Sequence, residues 1–250
     1  MPASRARRTR RARRALPLLL GGLLLSLLLS SCSLVEDLTG SDDDAQPTAA
    51  PSAAATEEYY DSQFTRDGTF QSHITVGGNL DFVYTLYPTK STPRTNEWYP
   101  RGSKFFSFTF QAYDLARDLR DPYETKRKVW LGRMQVTSTT KRSDGGTAES
   151  PYVLDALAET LTLDPEPVTY GDYGMLITSP KGAFELRNQE IAATDLATVG
   201  IDLTFSATVN IETSAGSNRY VQETITQVVP IAIFASDEET QAQEIPVNAN

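Results

Sequence analysis

Between positions 199 and 211 the chain reads VGIDLTFSATVNI. Val199, Ile201, Leu203, Phe205, Ala207, Val209 and Ile211 alternate without a break against Gly200, Asp202, Thr204, Ser206, Thr208 and Asn210. Successive side chains of an extended backbone point to opposite faces. The stretch therefore predicts a long antiparallel strand with one face on a core and the other toward water. SAGSN at 214–218 supplies small and polar turn residues. RYVQETITQVVPIAIF at 219–234 then returns, with Val221, Ile225, Val229, Ile231 and Ile233 on one face. Pro230 has no N–H for a ladder, which predicts a sheet edge or a bend between sheets.

The same period of two runs outward from this hairpin. TFQSHITV at 69–76 precedes the turn signal Gly77-Gly78-Asn79, and Leu80, Phe82, Tyr84 and Leu86 follow in alternation. KFFSFTFQAY places Phe106, Phe108, Phe110 and Ala112 on one face, and VWLGRMQVTSTT at 129–140 runs to the turn Asp144-Gly145-Gly146. YGMLITS and AFELRNQEI flank a further turn at Pro180-Lys181-Gly182. SPYVLDALAETLTLDPEP supports two readings. Val153, Leu157 and Leu161 have helical spacing, whereas Leu161 and Leu163 alternate as in a strand; at most one short helix is expected. About eight to ten strands with little helix predict an all-β, antiparallel, immunoglobulin-like β-sandwich. The label is one of architecture, because the paired cysteines of antibody domains are absent.

Charge and cysteine usage narrow the function. The formal net charge of the 250 residues is −9, unevenly spread. Arg5, Arg7, Arg8, Arg10, Arg11, Arg13 and Arg14 precede a leucine run, and no acid does. The rest of the chain holds 16 basic residues against 32 acids, a formal −16. Such a body repels a phosphate backbone, so no nucleic-acid partner is expected. Cys32 is the single cysteine. It excludes an intramolecular disulfide and zinc sites built from several cysteines.

The first residues, MPASRARRTRRARRALPLLLGGLLLSLLLSSC, have a basic start, an apolar run over 16–29 and the small residues Ser30 and Ser31. This is the anatomy of a secretory signal. The apolar run is short for a membrane span of about 20 residues, although an uncleaved signal anchor is an alternative. Leu29-Ser30-Ser31-Cys32 resembles the lipobox of bacterial lipoproteins. The resemblance implies that the Cys32 thiol carries a diacylglyceryl group and that the signal is cut just before it. It also implies a protein tied to the extracytoplasmic face of the cell membrane. Two acyl chains suit a stable anchor, whereas one binds only marginally. Arg13-Arg14-Ala15-Leu16 resembles a twin-arginine core, but Pro17 follows where that signal prefers an apolar residue, so general secretion is expected. The Ala- and Arg-rich start resembles exported proteins of high-GC Gram-positive bacteria. Poor in large apolar groups, SLVEDLTGSDDDAQPTAAPSAAATEE reads as a flexible acidic tether. Its Asp42-Asp43-Asp44 is a solvated run without the alternating ligands and glycine turn of a calcium loop. The expected layout is a signal peptide at 1–31, the tether at 32–58, the sandwich at 59–236 and a loose acidic tail at 237–250.

Catalytic signatures are sparse. His73 is the single histidine and has no Gly-x-Ser-x-Gly elbow to serve. Ser138-Thr139-Thr140-Lys141 matches Ser-x-x-Lys of penicillin-recognising enzymes, but their Ser-Asp-Asn and Lys-Thr-Gly companions are missing. Asp164, Glu166 and Asp172 in DPEPVTYGD are turn residues beside prolines before they are a hydrolase pair. TNEWYPRG at 95–102 puts Trp98, Tyr99 and Arg101 on one loop, where they contact a ligand or partner or else form a lid over the end of the core. No metal or cofactor is expected. The leading expectation is a non-enzymatic envelope lipoprotein that binds an envelope protein or glycan. A small-ligand or solute-binding lipoprotein is the alternative, marked by a ligand-sized apolar cavity. A carboxylate-based envelope hydrolase is the weaker one.

Overall fold

A computed structural model describes residues 60–90 and 96–242. The expected signal peptide, Cys32, the expected tether and the last residues of the expected acidic tail lie outside them. Among the described residues nine strands form two antiparallel sheets. The first holds β1 (Phe70–Val76), β2 (Leu80–Thr89), β3 (Lys104–Asp114) and β7 (Phe184–Ile191), in the order β1-β2-β3-β7. The second holds β4 (Val129–Arg142), β5 (Val153–Leu157), β8 (Thr198–Glu212) and β9 (Tyr220–Ala232) in the order β5-β4-β8-β9, with β6 (Met175–Leu176) also beside β4. The fold is an all-β antiparallel sandwich. Its first three strands share one sheet, whereas an immunoglobulin domain puts its third strand opposite its first two.

β8 carries the predicted alternation into the core. Ile201, Leu203, Phe205, Ala207 and Val209 are buried, and Thr204, Ser206 and Thr208 between them are only half-buried. The Phe205 ring meets the first sheet at Phe108, 4.8 Å between centroids, and at Tyr84, 5.8 Å. Phe82 and Phe110 stack beside them, so aromatic rings fill the space between the sheets. On β9 the inward face begins at Ile225, whose carbonyl accepts the Tyr84 hydroxyl at 3.0 Å. Val221, four residues nearer the turn, is 51% exposed and lies outside the core that the sequence pattern assigned it to.

Pro230 lies on β9, the edge strand beyond β8. A helix that the strand reading did not predict, α1 (Gln63–Asp67), covers this edge. Ser62 caps it, accepting the Thr65 N–H at 3.0 Å, and Gly68 at φ 70° ends it. So short a helix is not stable alone. Phe64 anchors it, fully buried and edge-on to Trp98 at 4.9 Å. Ser62 Oγ donates to the Pro230 carbonyl at 2.8 Å, and Thr65 Oγ1 accepts the Ala232 N–H at 3.1 Å. The helix thereby satisfies strand groups that an open edge leaves unpaired. The ambiguous stretch after Ser150 contains both readings in succession, β5 and then the one-turn helix α2 (Ala158–Leu161).

The segment after residue 236 begins against the 98–102 loop. Thr240 is 6% exposed; its N–H donates to the Arg101 carbonyl and its hydroxyl accepts the Tyr99 N–H, both at 3.0 Å. The start of the expected loose tail is thus held against 99–101. Its polar composition disfavours a core position but not a backbone pairing at an edge. Gly102 permits the approach, since a Cβ there would lie 2.6 Å from the Thr240 carbonyl oxygen.

Candidate functional site: an aromatic cleft on the second sheet

Residues 168–176 form a small hairpin folded over the second sheet. Leu176 N–H donates to the Val168 carbonyl at 2.8 Å, and Tyr170 N–H to the Gly174 carbonyl at 3.0 Å. Its β6 arm pairs with β4, Trp130 opposite Leu176 and Leu131 opposite Met175. Continuing, the chain ties the two sheets together: Ile177 N–H donates to the Val129 carbonyl, and Ala112 N–H to the Ile177 carbonyl. β4 shifts register between Leu131 and Arg133, around Gly132. Gly174 packs on that irregularity at φ 95°, ψ −150°, and a Cβ on it would lie 2.1 Å from the Leu131 carbonyl oxygen. Asn210 Nδ2 donates to the Tyr173 carbonyl at 3.0 Å and fixes the hairpin tip.

The hairpin gathers rings. Val129 and Leu131 face the core, so Trp130 between them faces outward, yet it is only 5% exposed because the Tyr170 ring covers it at 5.5 Å. Tyr173 stacks on Tyr170 at 5.7 Å and lies 4.6 Å from Tyr220 of β9. Beside them opens a cleft of about 540 Å³, lined by Tyr123, Trp130, Tyr170, Tyr220 and the apolar Val168 and Leu176. That volume is ordinary for a small-ligand site. Tyr170 remains 47% exposed, so the ring cluster is only partly covered.

Lys128, Lys181 and Asn218 complete the lining, and no carboxylate belongs to it. Glu212 lies behind it, fully buried, accepting the Lys128 and Asn218 N–H groups at 3.0 Å each. Lys181 Nζ stands 4.6 Å above the Tyr123 ring and 3.7 Å from Glu124. Burial pushes the Tyr123 hydroxyl up to about 12, against an opposing hydrogen bond with Thr178 and with the Glu212 charge adding to the rise. Burial likewise raises Tyr220, against a smaller opposing pull from the Trp130 N–H. Both phenols are therefore neutral donors at physiological pH. Trp130 Nε1 and the Tyr123 hydroxyl are buried and close no hydrogen bond of normal geometry.

The residues singled out in the sequence lie elsewhere. Trp98 is fully buried against Phe64, so its ring is a core side chain and offers no face to a ligand. Tyr99 is half-buried, its hydroxyl 3.4 Å from Glu97, and the exposed Arg101 reaches the Asp237 carbonyl at 3.4 Å. Their loop docks the start of the C-terminal segment. His73 is exposed, with Nδ1 2.7 Å from Asp81 Oδ2. Ser138 Oγ is occupied by the Tyr152 backbone, donating at 2.7 Å and accepting at 2.8 Å, while Lys141 pairs with Asp202. Asp164, Glu166 and Asp172 are exposed, and Asp164 accepts the Glu166 N–H in a local turn. No group of three potential metal ligands gathers among the described residues. In DPEPVTYGDYG the acids stay on the surface, and Tyr170 and Tyr173, each beside a turn glycine, carry the sequence signal of the cleft.

One buried charge fixes the 98–102 loop. Lys104 is fully buried, and its ammonium donates to the Pro100 and Gly102 carbonyls at 2.9 Å each. Burial lowers its pKa to about 8. Between that value and the usual ~10.4 the unfolded chain binds more protons than the folded one, so stability rises with pH. The expected gain is about 2–3 kcal/mol from pH 7 to pH 10, at ~1.36 kcal/mol per unit. The window closes near pH 10, where Tyr60, Tyr84 and Tyr152, all raised by burial, ionise first in the unfolded chain. Lys104→Met should flatten the slope in denaturant melts at pH 7, 8.5 and 10. Equal slopes in both proteins would refute the assignment.

Comparison with known proteins finds no family model that matches the chain and no curated protein of significant similarity.

Proposed function

We propose that this chain is a lipid-anchored, non-enzymatic binding module of the bacterial envelope. Cys32 holds it to the extracytoplasmic face of the membrane, and the cleft beneath hairpin 168–176 takes its ligand. The observation that carries the reading is the half-exposed Tyr170 over the buried Trp130, mounted on a hairpin hydrogen-bonded to both β4 and β8. Aromatic rings on a rigid frame supply contact area at low entropic cost, which is what a binding surface requires. The likeness to immunoglobulin-like domains is then one of use: two packed sheets display a recognition surface at one place. The cleft's volume favours a small ligand or a few units of a polymer over a protein-sized contact.

Two measurements test the two halves. Cys32→Ala should abolish lipid labelling and impair signal removal; unchanged palmitate incorporation would refute the anchor. A photo-crosslinking side chain at Val168, 57% exposed on the cleft, should yield an adduct in intact cells of the host. Placed at Leu196, 54% exposed beside the opposite end of β8, it should yield none. Adducts at Leu196 and not at Val168 would refute the cleft as the binding surface.

A further inference from the structure

The ligand class follows from a mismatch between the cleft and the body that carries it, on the reading that the cleft is the binding site. The chain after its leucine run is acidic, a formal −16 with its 33–58 stretch included, and the cleft is lined by two lysines and no carboxylate. Lys128 and Lys181 put two cations on the cleft wall, where an anion meets them; Glu212 behind the wall and Glu124 beside Lys181 offset part of that charge. Lys181 has one competing partner, the exposed Glu124 at 3.7 Å, and an exposed pair of that length is readily exchanged. Two further donors close no hydrogen bond of normal geometry: Trp130 Nε1, 5% exposed as a residue and directed at the Tyr220 hydroxyl, and the Tyr123 hydroxyl, beside Thr178. A buried donor held in a poorly formed bond is under-satisfied, so a ligand that brings oxygen acceptors gains by improving on that bond. The remaining contacts are flat: the half-exposed Tyr170 face, with Val168 and Leu176 beside it. A pyranose ring combines these features. It offers an apolar face to an aromatic ring and a rim of oxygens to donors. A peptide has no such face-and-rim arrangement, and a purely aromatic anion has no rim oxygens for the two inner donors.

We propose that the cleft binds an anionic saccharide, its ring stacked on Tyr170, its rim oxygens toward Trp130 Nε1 and the Tyr123 hydroxyl, and its carboxylate or phosphate held by Lys128 and Lys181. Calorimetric titration of the full-length protein in detergent micelles tests this with five probes: trigalacturonate, glucose 6-phosphate, neutral maltotriose, naphthalene-2-sulfonate and hexaglutamate. At least one of the two anionic sugars should bind tenfold or more tighter than maltotriose, and which one does identifies the acid group. Tyr170→Ala should weaken all the sugars about tenfold. Lys128→Gln combined with Lys181→Gln should weaken the anionic sugars tenfold and leave maltotriose unchanged. These variants should melt within a few degrees of the parent, as expected of exposed and half-buried positions. Equal binding of maltotriose overturns the charge assignment, and tighter binding of the sulfonate or the peptide overturns the saccharide assignment. Silence of all five probes with a Val168 adduct still formed in cells overturns the ligand class alone. Silence together with loss of that adduct overturns the binding cleft itself.

Discussion

Phe205→Ala should lower the unfolding free energy by about 3–5 kcal/mol. The side chain is 1% exposed and is surrounded by rings of the opposite sheet: Tyr84, Phe106 and Phe108 lie within 6.4 Å of its centroid. Those rings belong to strands paired through their whole length, so they cannot collapse into the space, and a cavity remains. The loss is a large share of the roughly 5–15 kcal/mol that a domain of this kind possesses. Thr204→Ala, one residue away on the other face and half-buried, should cost about 1 kcal/mol or less. Denaturant melts of the two variants decide. Equal losses would place Phe205 outside the core and would leave the sandwich without its central contact.

Gly174→Ala should detach the hairpin and remove the cleft, at a local cost of about 2–6 kcal/mol. The backbone angles, φ 95° and ψ −150°, are costly for an alanine by roughly 1–3 kcal/mol. Its Cβ would also lie 2.1 Å from the Leu131 carbonyl oxygen and 2.6 Å from Gly132 Cα. Both atoms are backbone of β4, so relief requires unpairing β6, and overpacking of that kind costs about 1–3 kcal/mol more. Gly171→Ala is the control: φ there is 49°, nothing lies within 4 Å of its Cβ, and the expected cost is about 1–2 kcal/mol. Hydrogen exchange at Tyr170 and Leu176 should accelerate in Gly174→Ala while β8 keeps its protection. Trp130 fluorescence should shift to the red as Tyr170 leaves it. A Gly174→Ala protein as well protected at those amides as Gly171→Ala would show that the close approach is not what holds the hairpin.

Alternation at 199–211 and its echoes at 70–76, 80–89, 104–114 and 129–142 determined the strands and the all-β class. They did so because side-chain direction in a strand is a local property of period two, and a half-buried sheet writes it directly into the sequence. Phe205, Phe108 and Tyr84 were legible as core residues for the same reason. Local pattern did not reach α1, whose stability comes from Phe64 against Trp98 and from the edge of β9, both far away in the chain. It also left Trp98 between two readings, because a tryptophan in a polar loop reads alike whether the ring is a binding platform or a plug in the core. Only the fold of Phe64 over it decides. The assembly of the cleft was decided by tertiary structure, although Tyr170 and Tyr173 beside turn glycines hint at its hairpin. Trp130, Tyr170 and Tyr220 come from β4, a hairpin and β9, and what brings them together is the absence of a side chain at Gly174 where two backbones meet. A missing Cβ is a constraint between distant segments, and no periodicity along one segment records it.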